Sequence, residues 1–169
     1  MHGIRAMAVL GPVLEAQGLP ELRTGAVRVW CDPTQLDDLT QVLRGAGWAV
    51  AAPETSPTEP RRLTHPGLPA EIHLHQAWAG FVTEPEAVFT ALWGVSTVAT
   101  IAGVPVTCCS VAGNVALLAL ELAGPDLDQL GKRAAAVMTP EDRQELVAIA
   151  EFTGAGEALQ PVLDQLARA

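Results

Sequence analysis

Ala26-Val27-Arg28-Val29-Trp30-Cys31, followed at once by Asp32-Pro33, reads as a β-strand running into the start of a helix. Its β-branched and aromatic side chains suit a pleated, half-buried backbone. Asp32 suits an N-cap, and Pro33 the first helical position, where its missing N–H costs nothing. Pro33–Gly45 then shows helical spacing: Leu36, Leu39, Val42 and Leu43 recur at three and four, while Asp37, Asp38 and Gln41 face outward. Asp37 and Asp38 lie near the helix start, where negative charge is favoured. Gly45-Ala46-Gly47 ends that helix, and Trp48–Ala52 is the next strand.

Upstream, Ala6–Leu10 is an apolar run stopped by Gly11-Pro12, readable as a strand or a helix end, with a helical turn over Val13–Gln17. Downstream, the loop Pro53–Pro60 is polar and proline-rich. Arg61–Thr64 and Glu71–Trp78 follow as strands around the His65-Pro66-Gly67 turn. Period-two alternation puts Ile72, Leu74 and Gln76 on one face of the second strand, and Glu71, His73, His75 and Ala77 on the other.

The second half is mostly helical. Glu84–Trp93, Asn114–Ala123 and Asp126–Ala136 read as helices, and Thr139-Pro140-Glu141-Asp142 carries a strong cap pattern. A final helix over Glu157–Ala167 bears the stripe Leu159, Leu163, Leu166, with Val162. Pro161 argues for a later start. Thr97–Ile101 and Val104–Cys108 form a hairpin around Ala102-Gly103. The expected fold class is α+β: a small mixed sheet with flanking helices and a helical C-terminal lobe. Residues 1–83 make an α/β core and residues 84–169 the hairpin and lobe, together one compact unit.

Acids outnumber bases 19 to 10, giving a net charge of −9. That opposes general nucleic-acid binding, which needs a basic footprint. The uncharged stretch Ala87–Leu120 is interrupted by Gly94, Gly103, Pro105 and Gly113, so it reads as buried strands and a helix, not a membrane span. No apolar h-region follows Arg5. Cys31, Cys108 and Cys109 show no C-x-x-C spacing, and adjacent cysteines make a poor structural disulfide. A reduced, cytoplasmic protein is the expectation. Cys108 and Cys109 are read as core, one turned inward and one outward. The four tryptophans, Trp30, Trp48, Trp78 and Trp93, also read as core. A mean hydropathy of +0.26 makes a homodimer an expectation as well.

The order of elements resembles a bacterial family of uncharacterised nucleotidyltransferases within the nucleotidyltransferase superfamily. The resemblance rests on Val9-Leu10-Gly11-Pro12, then Arg23-Thr24-Gly25 before the strand Ala26–Cys31, then Leu43-Arg44-Gly45-Ala46-Gly47-Trp48. Ile72-His73-Leu74-His75-Gln76-Ala77-Trp78 and the helices after Asn114 complete it. It covers most of the chain by pattern. The family's paired metal-binding aspartates match Ala26 and Arg28 here, and its third carboxylate matches His73. Leu10 stands where a lysine often precedes the first glycine.

Those departures oppose the family's chemistry. Alanine supplies no ligand, a guanidinium is a permanent cation, and imidazole is a poor ligand for Mg²⁺. The resemblance therefore implies a degenerate, non-catalytic member, with Mg²⁺ disfavoured. It would bind a small anionic or nucleotide ligand at Gly11, Arg23, Thr24, Arg28 and His73, or a protein partner, as an accessory to a pathway. For Arg28 the competing reading is a salt bridge to an acid. A second reading makes the protein a metal-dependent enzyme holding Zn²⁺ or Ni²⁺ on His73, His75 and Glu71, with Asp32 or His65 as further candidates. A third makes it an antitoxin-like regulatory or structural partner.

Overall fold

The computed structural model describes residues 3–19 and 26–169. Strand β1 (Ala6–Val9) leads through Leu10-Gly11 into the short helix α1 (Pro12–Ala16). The apolar run before Gly11 is thus a strand. β2 (Ala26–Cys31) lies antiparallel to β1 and parallel to β5 (Leu68–His75). The hairpin of β4 (Arg61–His65) and β5 turns at Pro66-Gly67, and β3 (Ala49–Ala52) pairs on the far side of β4. β5 begins and ends three residues before the expected Glu71–Trp78.

Helix α3 (Pro85–Gly94) precedes the hairpin β6 (Thr97–Ile101) and β7 (Val104–Cys108), which falls where Ala102-Gly103 placed it. β7 joins β1 in parallel, so the sheet order is β3-β4-β5-β2-β1-β7-β6. The second half of the chain therefore supplies one end of the sheet that the first half builds. Four helices complete the fold: α4 (Val111–Glu121), α5 (Gly124–Val137), α6 (Pro140–Thr153) and α7 (Gly156–Arg168). The architecture is α+β, with a mixed sheet and a helical C-terminal lobe. Among the described residues no helix is long and apolar enough to cross a membrane.

The sheet has two unequal apolar sides. The large core joins Trp30, Leu10 and Leu14 to Phe89, Leu117, Leu118, Leu130, Leu146 and Leu159 of the helices. The small one lies under α2 (Leu36–Gly45), where Leu36, Leu63 and Leu74 pack with Val29, Leu39 and Leu43.

Three local readings are corrected. The segment Pro33–Gln35 is a 3₁₀ turn, with the Asp32 carboxylate accepting from the Thr34 N–H, and the α-helix starts only at Leu36. Val42 is 59% exposed, while Thr40 is buried. At 100° per residue Val42 falls well off the stripe of Leu36, Leu39 and Leu43, and Thr40 falls on it. Thr40 suits that place because its hydroxyl donates to the Leu36 carbonyl at 2.7 Å and accepts from Arg61 at 2.7 Å. Finally, α7 starts at Gly156 and runs through Pro161, held by the buried stripe Leu159, Val162 and Leu166. The burial of that stripe outweighs the one backbone hydrogen bond that proline removes.

The cap of α6 matches its reading in full. The Thr139 side chain accepts from the Asp142 N–H, and the Asp142 carboxylate accepts from the Thr139 N–H. Trp30 and Trp78 are buried, whereas Trp48 and Trp93 are half-buried. Cys108 and Cys109 are both fully buried, not one in and one out. Cys108 closes β7 against the sheet and Cys109 turns into the large core, so the backbone changes direction between them. Burial pushes the Cys109 thiol well up, and burial with the neighbouring Asp32 charge pushes Cys31 up to about 12. Neither thiol has nucleophile character.

Candidate functional site

The parallel pairing of β2 and β5 sets Ala26 beside Glu71, Arg28 beside His73, and Trp30 beside His75. All six side chains lie on the face toward the large core, because Val29, Ile72 and Leu74 occupy the other. Residues from two distant stretches of sequence are thus brought to one place.

Arg28 is fully engaged there. Its two terminal nitrogens donate to Glu121 at 2.9 and 2.5 Å, a bidentate pair with the last residue of α4. Its Nε donates to His75 Nε2 at 3.3 Å, and its guanidinium carbon stands 5.0 Å from the Trp78 ring centroid. The Arg28 side chain is only 11% exposed. A fork donating to both oxygens of one carboxylate is strong and directional. Its structural work is to fasten the sheet to the helical lobe.

His75 is stacked on Trp78, ring centroids 4.2 Å apart. Burial, reinforced by the Arg28 and His73 charges, lowers its imidazole to about 3. The native ring is neutral and accepts the Arg28 hydrogen bond. The unfolded imidazole takes up a proton below its ordinary value near 6.5, so the native state loses stability as pH falls through that region. We expect His75 to account for a loss of about 1 kcal/mol between pH 6.5 and 5.5. Denaturant melts of the protein and of His75→Phe at the two pH values check this: the variant should lack that share of the slope.

His73 and Glu71 do meet, with Nε2 and Oε2 2.9 Å apart. The Glu71 carboxylate also accepts from Arg62 at 3.0 to 3.2 Å, and those two partners hold it below the usual carboxylate range. His75 does not complete the set, because its Nε2 already faces Arg28. Asp32 is elsewhere, paired with Arg5 and Thr34. His65 is used in its own turn, with Nδ1 accepting from the Gly67 N–H at 3.0 Å. Among the described residues no group of three or more His, Cys, Asp or Glu is disposed to hold a metal ion. The divalent metal that the family resemblance implies does not fit either. The matching positions carry a methyl group, a guanidinium and an imidazole, and that set lacks the oxygen donors a hard cation needs.

Gly11 sits at the turn into α1 with φ +53° and ψ −133°, a region that glycine reaches freely. A Cβ built there would lie 3.9 Å from the Ala26 carbonyl, so the turn approaches the start of β2. Arg23 and Thr24 lie outside the described residues.

Sequence reasoning missed Glu121 and Asn114. Glu121 is separated from Arg28 by most of the chain, and nothing local marks it. Asn114 is fully buried in an otherwise apolar helix. Its Oδ1 accepts from the Leu10 N–H at 3.0 Å, and its Nδ2 donates to Gln17 Oε1 at 2.8 Å and to the Cys109 carbonyl at 3.3 Å. A lone amide in the run Val111–Leu120 was the available signal: a buried polar side chain requires partners.

No protein-family model and no curated protein matches the chain. Solved structures similar to it include the lincomycin-bound lincosamide antibiotic adenylyltransferase LnuA. The identity is 11% and the TM-score 0.46, over 89% of this chain and 88% of that one. The solution structure of the antibiotic-resistance factor ANT(2'')-Ia is also similar, at 13% identity and a TM-score of 0.48, over 98% of this chain and 81% of that one.

Proposed function

We propose that the chain is a nucleotidyltransferase-like protein that works by binding rather than by metal-dependent transfer. One observation carries this reading: Ala26, Arg28 and His73 share the β2–β5 face, and the cation among them is neutralised from within by Glu121. Nucleotidyl transfer draws its rate from charge stabilisation at the phosphates, several kcal/mol in each such contact, and each 1.4 kcal/mol is about tenfold in rate. A face with no oxygen donor at these positions gives up that stabilisation.

The same geometry bears on what is bound. An anion reaching Arg28 must first displace a bidentate carboxylate. A protein partner in a reducing compartment is therefore the reading favoured over a small anionic ligand. Nucleic acid is disfavoured by the net charge of −9.

Incubation with labelled ATP or GTP and Mg²⁺ should leave the protein unlabelled and add no labelling to a lysate beyond what the lysate shows alone; transfer to either defeats the proposal. Titration with ATP alone separates the two binding modes. The wild type should bind weakly, and Glu121→Gln should tighten binding at least about tenfold by freeing the guanidinium. Arg28→Ala in that background should abolish the gain. Tight binding by the wild type, lost in Arg28→Ala, would instead favour the anionic ligand.

A further inference from the structure

We infer that the outer edge of β6 pairs with the β6 of a second copy of this chain, joining the two sheets across a two-fold axis. Helix α1 packs against β6, and the starting point is the strand's outer backbone edge. β7 meets β1 in register at Ala8 and Cys108, and the Cys109 N–H donates to the Ala8 carbonyl at 2.9 Å. Away from that end the two strands are paired chiefly with each other, over five positions from Thr97–Cys108 to Ile101–Val104. Val98 is 68% and Val104 58% exposed.

The hairpin geometry identifies the free groups. Its loop is Ala102-Gly103, with φ of +50° and +79°, a two-residue turn with both central residues left-handed. Such a loop makes Ile101–Val104 a hydrogen-bonded pair. Alternation then puts Ala99–Val106 and Thr97–Cys108 in the same class. Val98 and Thr100 consequently aim their N–H and C=O groups away from β7. No described residue hydrogen-bonds to them.

Among the described residues the other free edges carry protective devices that β6 lacks. β3, at the opposite end of the sheet, has a register shift between Val50 and Ala52 and runs into Pro53. The outer side of β7 carries Pro105, which has no N–H to offer at its outward position. β6 is Thr-Val-Ala-Thr-Ile: regular in register, without charge, proline or bulge. Natural edge strands ordinarily carry one of those devices.

The occupant is a second copy because the edge is self-complementary. With Ala99 opposite Ala99 on the axis, each Val98 exchanges both backbone bonds with the Thr100 of the other copy. The small side chain suits the close pair at the axis. A chain of net charge −9 repels itself over most approaches, but β6 and β7 lie inside the uncharged stretch Ala87–Leu120. The paired β6 strands themselves therefore bring no like charges together.

The test is sedimentation velocity on the full chain from low to high micromolar concentration. A reversible dimer is expected. Thr100→Pro removes an outward N–H and leaves every β6–β7 hydrogen bond in place. Val98→Lys/Thr100→Lys puts like charges directly opposite each other, at positions exposed within one copy. Each should raise the dimer dissociation constant at least about tenfold, with the far-ultraviolet circular dichroism of the folded chain retained. A monomer at all concentrations overturns the inference, including the case in which β6 takes a foreign extended peptide. A dimer indifferent to the double lysine variant overturns it too. Neither result bears on the silence of the β2–β5 face.

Discussion

Gly113→Ala should destabilise the protein by at least about 3 kcal/mol. For a chain of this size that is a fall of roughly 6–12 °C in melting temperature. Gly113 lies in the first turn of α4, among fully buried residues. A Cβ there would stand 2.2 Å from the Cys109 Sγ and 3.3 Å from the Ser110 Oγ. Neither neighbour moves freely. Cys109 is fully buried in the large core. Ser110 caps the helix, its Oγ accepting from the Gly113 N–H while its hydroxyl donates to Glu145 of α6. Relief of the clash means shifting α4 or breaking that cap. Thermal and denaturant melts measure the cost. In the double variant Cys109→Ala/Gly113→Ala the sulfur is gone, so it should be more stable than Gly113→Ala by about 1 kcal/mol or more. Simple additivity of the two single changes would show that the contact is not the cause.

Asn114→Leu should cost about 3 kcal/mol although the two side chains share the same branching and number of heavy atoms. The change leaves no cavity, so the loss comes from the broken hydrogen bonds together with the crowding of two larger methyl groups. The Leu10 N–H loses its acceptor inside the core, and the Gln17 amide loses its donor. The Cys109 carbonyl keeps one partner, Gln17 Nε2 at 2.9 Å. An orphaned buried donor costs more than a hydrogen bond contributes on average, which is why a hydrophobic isostere fails here. Leu10 also has φ +53°, a conformation unfavourable for a residue with a branched side chain, so its N–H bond helps hold a strained turn. Hydrogen exchange at the Leu10 amide should quicken more than at the strands β2 and β5. Uniform quickening would mean that Asn114 contributes only to global packing.

Both predictions concern α4, the element joining the turn after β1, the core and the candidate site. Its first turn holds the cap, Asn114 ties down the turn that carries Gly11, and Glu121 at its end closes on Arg28. A change at either end of this helix is therefore felt at the β2–β5 face. Glu121→Gln, at the surface end, loosens that fastening without adding a clash, so it should cost less stability than Gly113→Ala.

The amino-acid sequence by itself determined the local elements, because their signals are carried by neighbours in the chain. β-Branched and aromatic side chains marked β2, period-two alternation marked β5, Asp32-Pro33 marked a helix start, Thr139 to Asp142 marked a cap, and Ala102-Gly103 marked a hairpin. The residues that the resemblance sets against the family's acids, Ala26, Arg28 and His73, were also read from the sequence alone. Finer boundaries slipped where packing overrode propensity: Pro161 stays inside α7, and Thr40 rather than Val42 turns inward. Only the tertiary structure decided what the site residues do. The register of β2 on β5 joined Arg28 to His73, and the seat of α4 gave Arg28 the carboxylate of Glu121. It also drew His75 out of any ligand set by stacking it on Trp78. Contacts across so many residues depend on how the helices settle on the sheet, and no local pattern encodes that settlement.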